Sequence, residues 1–142
     1  MIFVSHELEG ITPIIQALHS TLGDSEAIVE KSVLLYGSRT SDDILGRVML
    51  DKWEESHKEK FELTHVLSHE PEDSGFQGFE RGFINKELIT KSFPGPDAGS
   101  DVLIFVCGPP PMYNALCGPR NEEEVTGLLG EMGYSSSQVF KF

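Results

Sequence analysis

Val102-Leu103-Ile104-Phe105-Val106-Cys107, followed without a break by Gly108-Pro109-Pro110-Pro111-Met112, decides the fold. Six consecutive apolar residues, rather than an alternating pattern, describe a strand covered on both faces, and a strand of that kind belongs in a parallel sheet. The prolines then stop it. Three in a row remove backbone donors and fix φ, so the chain leaves the strand as a stiff shelf, with Gly108 bare beside it.

The segments around this strand repeat the same grammar. Ile2-Phe3-Val4-Ser5 is a short apolar strand. In Gly10-Ile11-Thr12-Pro13, Thr12 suits an N-cap and Pro13 the first helical position. Ile14, Ile15, Leu18 and Leu22 continue at helical spacing up to Gly23. Val33-Leu34-Leu35-Tyr36 is a second continuous strand, and Gly37-Ser38-Arg39 is a turn. Thr40 and Asp43 form a capping box opening a helix, with Ile44, Leu45, Val48, Met49 and Trp53 on its apolar face. Phe61 to Ser68 alternates as a third strand. A loop follows from Glu70 to Gly82, then a short helix from Phe83 to Phe93 with Asn85 near its start, then a loop from Pro94 to Ser100. After the shelf come a helical turn, Met112 to Leu116, and a helix from Glu122 to Met132 capped by Gly133. Val139-Phe140-Lys141-Phe142 is the last strand.

Strands alternating with helices predict a doubly wound α/β domain, a mostly parallel five-stranded sheet with helices on both faces. The length of 142 residues predicts one domain, 1–142. Eleven Lys and Arg against 23 Asp and Glu give a net charge of −12. That field repels phosphate backbones and anionic lipid, so neither nucleic acid nor a membrane surface is an expected partner. No apolar run approaches the ~20 residues of a membrane-spanning helix. Two cysteines, Cys107 and Cys117, suggest no oxidising compartment, and a cytosol-facing protein is expected.

In such a sheet ligands bind at the carboxyl ends of the strands, where strand order reverses. Three turns are therefore candidates. The helix start at Gly10, Thr12 and Pro13 offers unpaired N–H groups to a pyrophosphate. Cys107-Gly108-Pro109-Pro110-Pro111-Met112 offers a rigid surface and a thiol to a planar ring. Gly37-Ser38-Arg39 offers a guanidinium able to grip a phosphate. His65 and His69 lie four apart with no further ligand at metal-site spacing, so no metal is expected. Gly-x-Ser-x-Gly and Walker A sequences are both absent.

Taken together, Gly-Ile-Thr-Pro at a helix start, Tyr36-Gly-Ser-Arg-Thr-Ser-Asp-Asp-Ile-Leu, Gly82-Phe83-Ile84-Asn85, Cys-Gly-Pro-Pro-Pro-Met and the closing Val-Phe-Lys-Phe resemble the pyridine-nucleotide domain of NADH-cytochrome b5 reductases and the wider ferredoxin reductase-like flavoproteins. The resemblance runs from about Gly10 to Phe142. It implies a Rossmann-like domain that positions NADH, or NADPH, for hydride transfer to FAD carried on a preceding domain. Electrons then pass to a haem protein such as cytochrome b5. It assigns Thr12 and Pro13 to the nicotinamide and pyrophosphate side. Cys107, Gly108, Pro109, Pro110 and Met112 fall to the nicotinamide, with Cys107 nearest the chemistry. Gly37, Ser38 and Arg39 fall to the adenosine, Phe83 to the adenine and Phe142 to the flavin edge. Ser68 stands where many of these reductases carry an acid for the ribose hydroxyls.

The chain departs from that pattern in Glu7-Leu8-Glu9, where the family has a glycine-rich run, and in lacking a flavin-binding motif. Little turnover is expected of these residues alone, and membrane anchoring, known for some b5 reductases, would come from sequence outside them. Glu7-Leu8-Glu9 also supports a second reading, a domain that has lost cofactor binding and acts as an interaction or regulatory module.

Overall fold

The computed structural model describes residues 1–6, 11–23 and 29–142. The expectations for Gly10 and for Glu7-Leu8-Glu9 lie outside them. Among the described residues six strands, β1 (Ile2–His6), β2 (Ser32–Ser38), β3 (Phe61–Leu67), β4 (Phe79–Arg81), β5 (Ile104–Cys107) and β6 (Val139–Lys141), form one sheet in the order β4-β3-β2-β1-β5-β6. Every neighbouring pair is parallel. β1 lies between β2 and β5, with Ser5 opposite Cys107 in the register, so strand order reverses there. The expected five strands are six because β4 was read as loop.

Among the described residues five α-helices cover the sheet: α1 (Ile11–Gly23), α2 (Arg47–Ser56), α3 (Lys86–Ser92), α4 (Pro110–Leu116) and α5 (Gly127–Glu131). Alternation along the buried strands divides the core in two. Phe3, Leu34 and Tyr36 pack with Ile14 and Leu18 of α1 and Leu50 of α2. Ile2, Val4, Val33, Leu35, Ile104 and Val106 point the other way, against Leu88 and Ile89 of α3, Leu116 of α4 and Leu129 of α5. At ~25 cal/mol per Å² of apolar surface removed from water, these two layers supply most of the driving force for folding.

Four local expectations are corrected. α1 begins at Ile11, so Thr12 is inside its first turn and not at the cap. Pro13 is tolerated there because first-turn N–H groups have no intrahelical partner. Gly37 and Ser38 belong to β2 rather than to a turn. The Thr40–Asp43 capping box forms, with Thr40 N–H donating to Asp43 Oδ2 at 3.0 Å, but it opens a 3₁₀ turn, Ser41–Asp43. α2 starts only after Gly46, whose φ of 71° interrupts the chain. That later start rotates the helix: Leu50 is buried, while Leu45 is exposed and Val48 is 64% exposed. Finally, Glu122 to Thr126 is not helical. The Lys141 ammonium donates to the carbonyls of Pro119, Glu122 and Glu124, each at 2.9 Å, which turns them away from helical partners.

α3 forms inside the expected Phe83–Phe93 stretch but starts at Lys86, leaving Phe83 and Ile84 outside the helix. Asn85 is its N-cap, accepting from the Leu88 N–H at 2.9 Å, which satisfies one of the orphan donors of the first turn.

Candidate functional site

The carboxyl ends of β2, β3 and β5, together with α4, surround a cleft of about 380 Å³. β2 contributes Gly37 and Ser38, and the chain just past β3 contributes Ser68. Gly82 and Phe83 come from beyond β4, and Pro109 and Met112 from the shelf. Six residues singled out in the sequence, Gly37, Ser38, Ser68, Phe83, Pro109 and Met112, are thus brought to one place. The size falls in the ~300–1,000 Å³ range of small-molecule sites.

Each wall has a local cause. Ser38 is the last residue of β2, and its carbonyl accepts from Ser68 N–H at 3.1 Å, which sets the two serines side by side. Gly82 adopts φ 110°, a conformation open to glycine, and its N–H donates to the Leu67 carbonyl at 2.9 Å. The turn leaves Phe83 69% exposed at the mouth. On the opposite side Pro109 is the N-cap of α4, and its carbonyl accepts from Met112 N–H at 2.9 Å.

The lining is mainly apolar, with two hydroxyls. Ser68 Oγ lies 2.7 Å from Nδ1 of His69. Ser38 Oγ is different: the residue is 1% exposed and the oxygen has no hydrogen-bond partner. A buried hydroxyl left unpaired costs about 1–3 kcal/mol. No carboxylate lines the cleft among the described residues. Glu70, two residues past Ser68, turns away and accepts from the Ser41 N–H and, at 2.7 Å, from the Ser41 hydroxyl. Hydrogen bonds from Ser74 and Ser41 hold its carboxyl below the usual range.

Cys107 does not line this cleft. Alternation along β5 turns its side chain to the other layer, where it shares a cluster with Ile11, the first residue of α1, and packs near Phe142. The start of α1 and the end of β5 therefore adjoin at the strand-order reversal, next to the cleft. Burial pushes the Cys107 thiol up, opposed by a hydrogen bond with Tyr113. At neutral pH it is a protonated thiol, suited to contact rather than nucleophilic attack.

Some expected site residues lie elsewhere. Thr12 is exposed and Pro13 half-buried on α1, and neither reaches the cleft. Arg39 is exposed and outside the lining, and Pro111 rather than Pro110 faces the cleft. His65 and His69 do not converge: His65 is buried 3.4 Å from Asp51 Oδ1, while His69 is exposed. The residues missed are Val66, Gly82, Ile84, Pro111, Ala115 and Leu116. Ala115 and Leu116 were readable as the positions three and four beyond Met112, one helical turn along the same face.

A larger open groove of about 810 Å³ runs along α2, past Arg47, Lys52 and Trp53. It gathers none of the expected site residues, so the smaller cleft is the better candidate.

Residues 9–118 match the family model described as the oxidoreductase NAD-binding domain. NADH-cytochrome b5 reductase 2 of Saccharomyces cerevisiae (strain YJM789) is 40% identical over 137 residues, covering 94% of this chain and 44% of that protein. The chain thus spans less than half the length of such curated relatives. The cytochrome b5 reductase domain of Ulva prolifera nitrate reductase shares the fold, with a TM-score of 0.80 and 23% identity over 99% of this chain and 47% of that one. The CS-b5R domains of human Ncb5or, in the NAD+ form, superpose with a TM-score of 0.76 at 26% identity, over 99% of this chain and 36% of that one. With three quarters of its length under that model and the same parallel α/β architecture, the chain belongs to the oxidoreductase NAD-binding domain family.

Proposed function

We propose that residues 1–142 form the single pyridine-nucleotide-binding domain of a flavoprotein oxidoreductase similar to NADH-cytochrome b5 reductase. It holds NADH, and also NADPH, for hydride transfer to FAD on a separate flavin-binding domain, with a haem protein such as cytochrome b5 as the onward acceptor. Both described cysteines are free thiols, in keeping with a cytosolic or cytosol-facing location. No helix among the described residues is long and apolar enough to cross a membrane.

One observation carries the reading: the cleft that joins Ser38, Ser68, Phe83, Pro109 and Met112, beside a buried Ser38 hydroxyl with no hydrogen-bond partner. A nucleoside fits this chemistry. Its ribose offers hydroxyls to Ser38 and Ser68, and its base is a flat apolar surface for Phe83 and Met112. The dinucleotide, when bound, supplies the hydride. The chain's own part is placement: a proline shelf that does not flex, an apolar wall that excludes water, and a protonated thiol at the strand-order reversal that fills space beside the nicotinamide end. Because no carboxylate lines the described cleft, a 2′-phosphate meets no fixed negative charge there, which is why NADPH is included.

Calorimetry with NADH and NADPH tests this. Binding of both in the micromolar to millimolar range is expected. Absence of heat from either at high concentration would overturn the reading in favour of a domain without cofactor.

A further inference from the structure

Tyr113 is 3% exposed on α4, and its hydroxyl donates to the main-chain oxygen of Phe142 at 2.7 Å. Phe142 is held from its other side, its N–H donating to the Val106 carbonyl at 3.1 Å. One hydroxyl therefore ties the helix that follows the shelf to the end of β6, and Phe142 in turn is bonded to β5.

A buried tyrosine hydroxyl usually finds some partner, so a single bond would signify only a satisfied core residue. Tyr134 is such a case within the same molecule. It too is 3% exposed, and its hydroxyl donates to the Pro94 carbonyl at 2.7 Å. Yet Pro94 lies in the loop leading into β5, at the amino ends of the strands, where no site residue falls. Tyr113 makes the same bond at the carboxyl ends, to Phe142.

We infer that Tyr113 is a positioning residue of the dinucleotide site, its hydroxyl fixing Phe142 against α4 beside the strand-order reversal. The inference rests on the reading of this region as the nicotinamide end of the site. Without the hydroxyl, Phe142 keeps its bond to Val106 but loses its tie to α4, and the Cys107 thiol, on which Arg120 also acts, loses an influence that favours its ionised form.

The test compares Tyr113→Phe with Tyr134→Phe in the otherwise native chain. Each variant deletes one hydroxyl bond to a main-chain oxygen, 2.7 Å long in both cases, so the two should lose comparable thermal stability. NADH affinity and the pH titration of the Cys107 Cβ carbon resonance are then measured in both. Tyr113→Phe is expected to weaken NADH binding about fivefold, short of the tenfold that a complete hydrogen bond is worth. It should also move the thiol titration to higher pH. Tyr134→Phe should change neither quantity. If either stays at the native value in Tyr113→Phe, or if Tyr134→Phe changes them equally, Tyr113 is only a core residue. A native chain that takes up no NADH overturns the reading of the site itself, and that result is seen before any variant is made.

Discussion

Ala115→Trp leaves the chain folded and removes NADH binding. Ala115 sits on the exposed side of α4 yet lines the cleft, one turn beyond Met112. An indole there is expected to enter the cleft that Ala115 lines with Met112 and Phe83. Substitutions at exposed positions usually alter stability by no more than about 0.5 kcal/mol. The cleft is only about 380 Å³, so an added ring of this size competes directly with a base or ribose. Affinity should drop roughly 100-fold or more, equivalent to about 2.7 kcal/mol. Calorimetry measures the loss, and a thermal melt on the same sample confirms the fold. If the variant binds NADH as the native chain does, the dinucleotide does not use this cleft.

The second large effect is on stability. Gly127, the first residue of α5, has φ 60°, and a Cβ at this position would lie 2.7 Å from the Ala115 carbonyl oxygen and 2.9 Å from that of Asn114. Both are backbone atoms of α4, so no side chain can swing aside. Gly127→Ala pays for the left-handed backbone, about 1–2 kcal/mol, and must also push α5 away from α4. A total destabilisation of about 3 kcal/mol is expected in chemical denaturation, at the upper end of what single substitutions do. Because α4 carries Met112, Ala115 and Leu116 into the cleft, the same change should weaken NADH binding. A loss under about 1 kcal/mol would mean that α4 and α5 are not tightly packed.

What could be read in advance divides along a physical line. The β5 strand and its proline shelf depend on residues adjacent in the chain: a continuous apolar run needs two covered faces, and consecutive prolines end a strand wherever they occur. The parallel sheet, the capped α3 and the convergence of Ser38, Ser68, Phe83 and Met112 follow from such signals together with the resemblance to reductase domains. Failures came where distant residues decide. Glu122 to Thr126 has the composition of a helix start, but Lys141, far along the chain, takes its carbonyls. The Thr40–Asp43 box formed as read, yet Gly46 prevented it from opening α2. β4 is three residues long at the sheet edge, with one apolar side chain, and leaves no periodicity to find. Thr12 looked like a cap because Pro13 follows it, though Pro is accepted anywhere in a first turn.

The site shows the same division. Residue types at the strand ends were visible, but their sidedness was not, and it is sidedness that sends Cys107 to the α1 layer while Pro109 and Met112 face the cleft. The unpaired Ser38 hydroxyl and the bond from Tyr113 to Phe142 exist only once the chain is folded. No spacing announces them.

The most direct measurement is the footprint of NADH on the amide and methyl resonances of the labelled chain. Shifts concentrated at Ser38, Ser68, Phe83, Met112 and Ala115, extending to Cys107 and Phe142, are the expected result. Shifts centred on Arg47 and Trp53 in the α2 groove, or none at saturating NADH, would contradict the assignment of the cleft as the dinucleotide site.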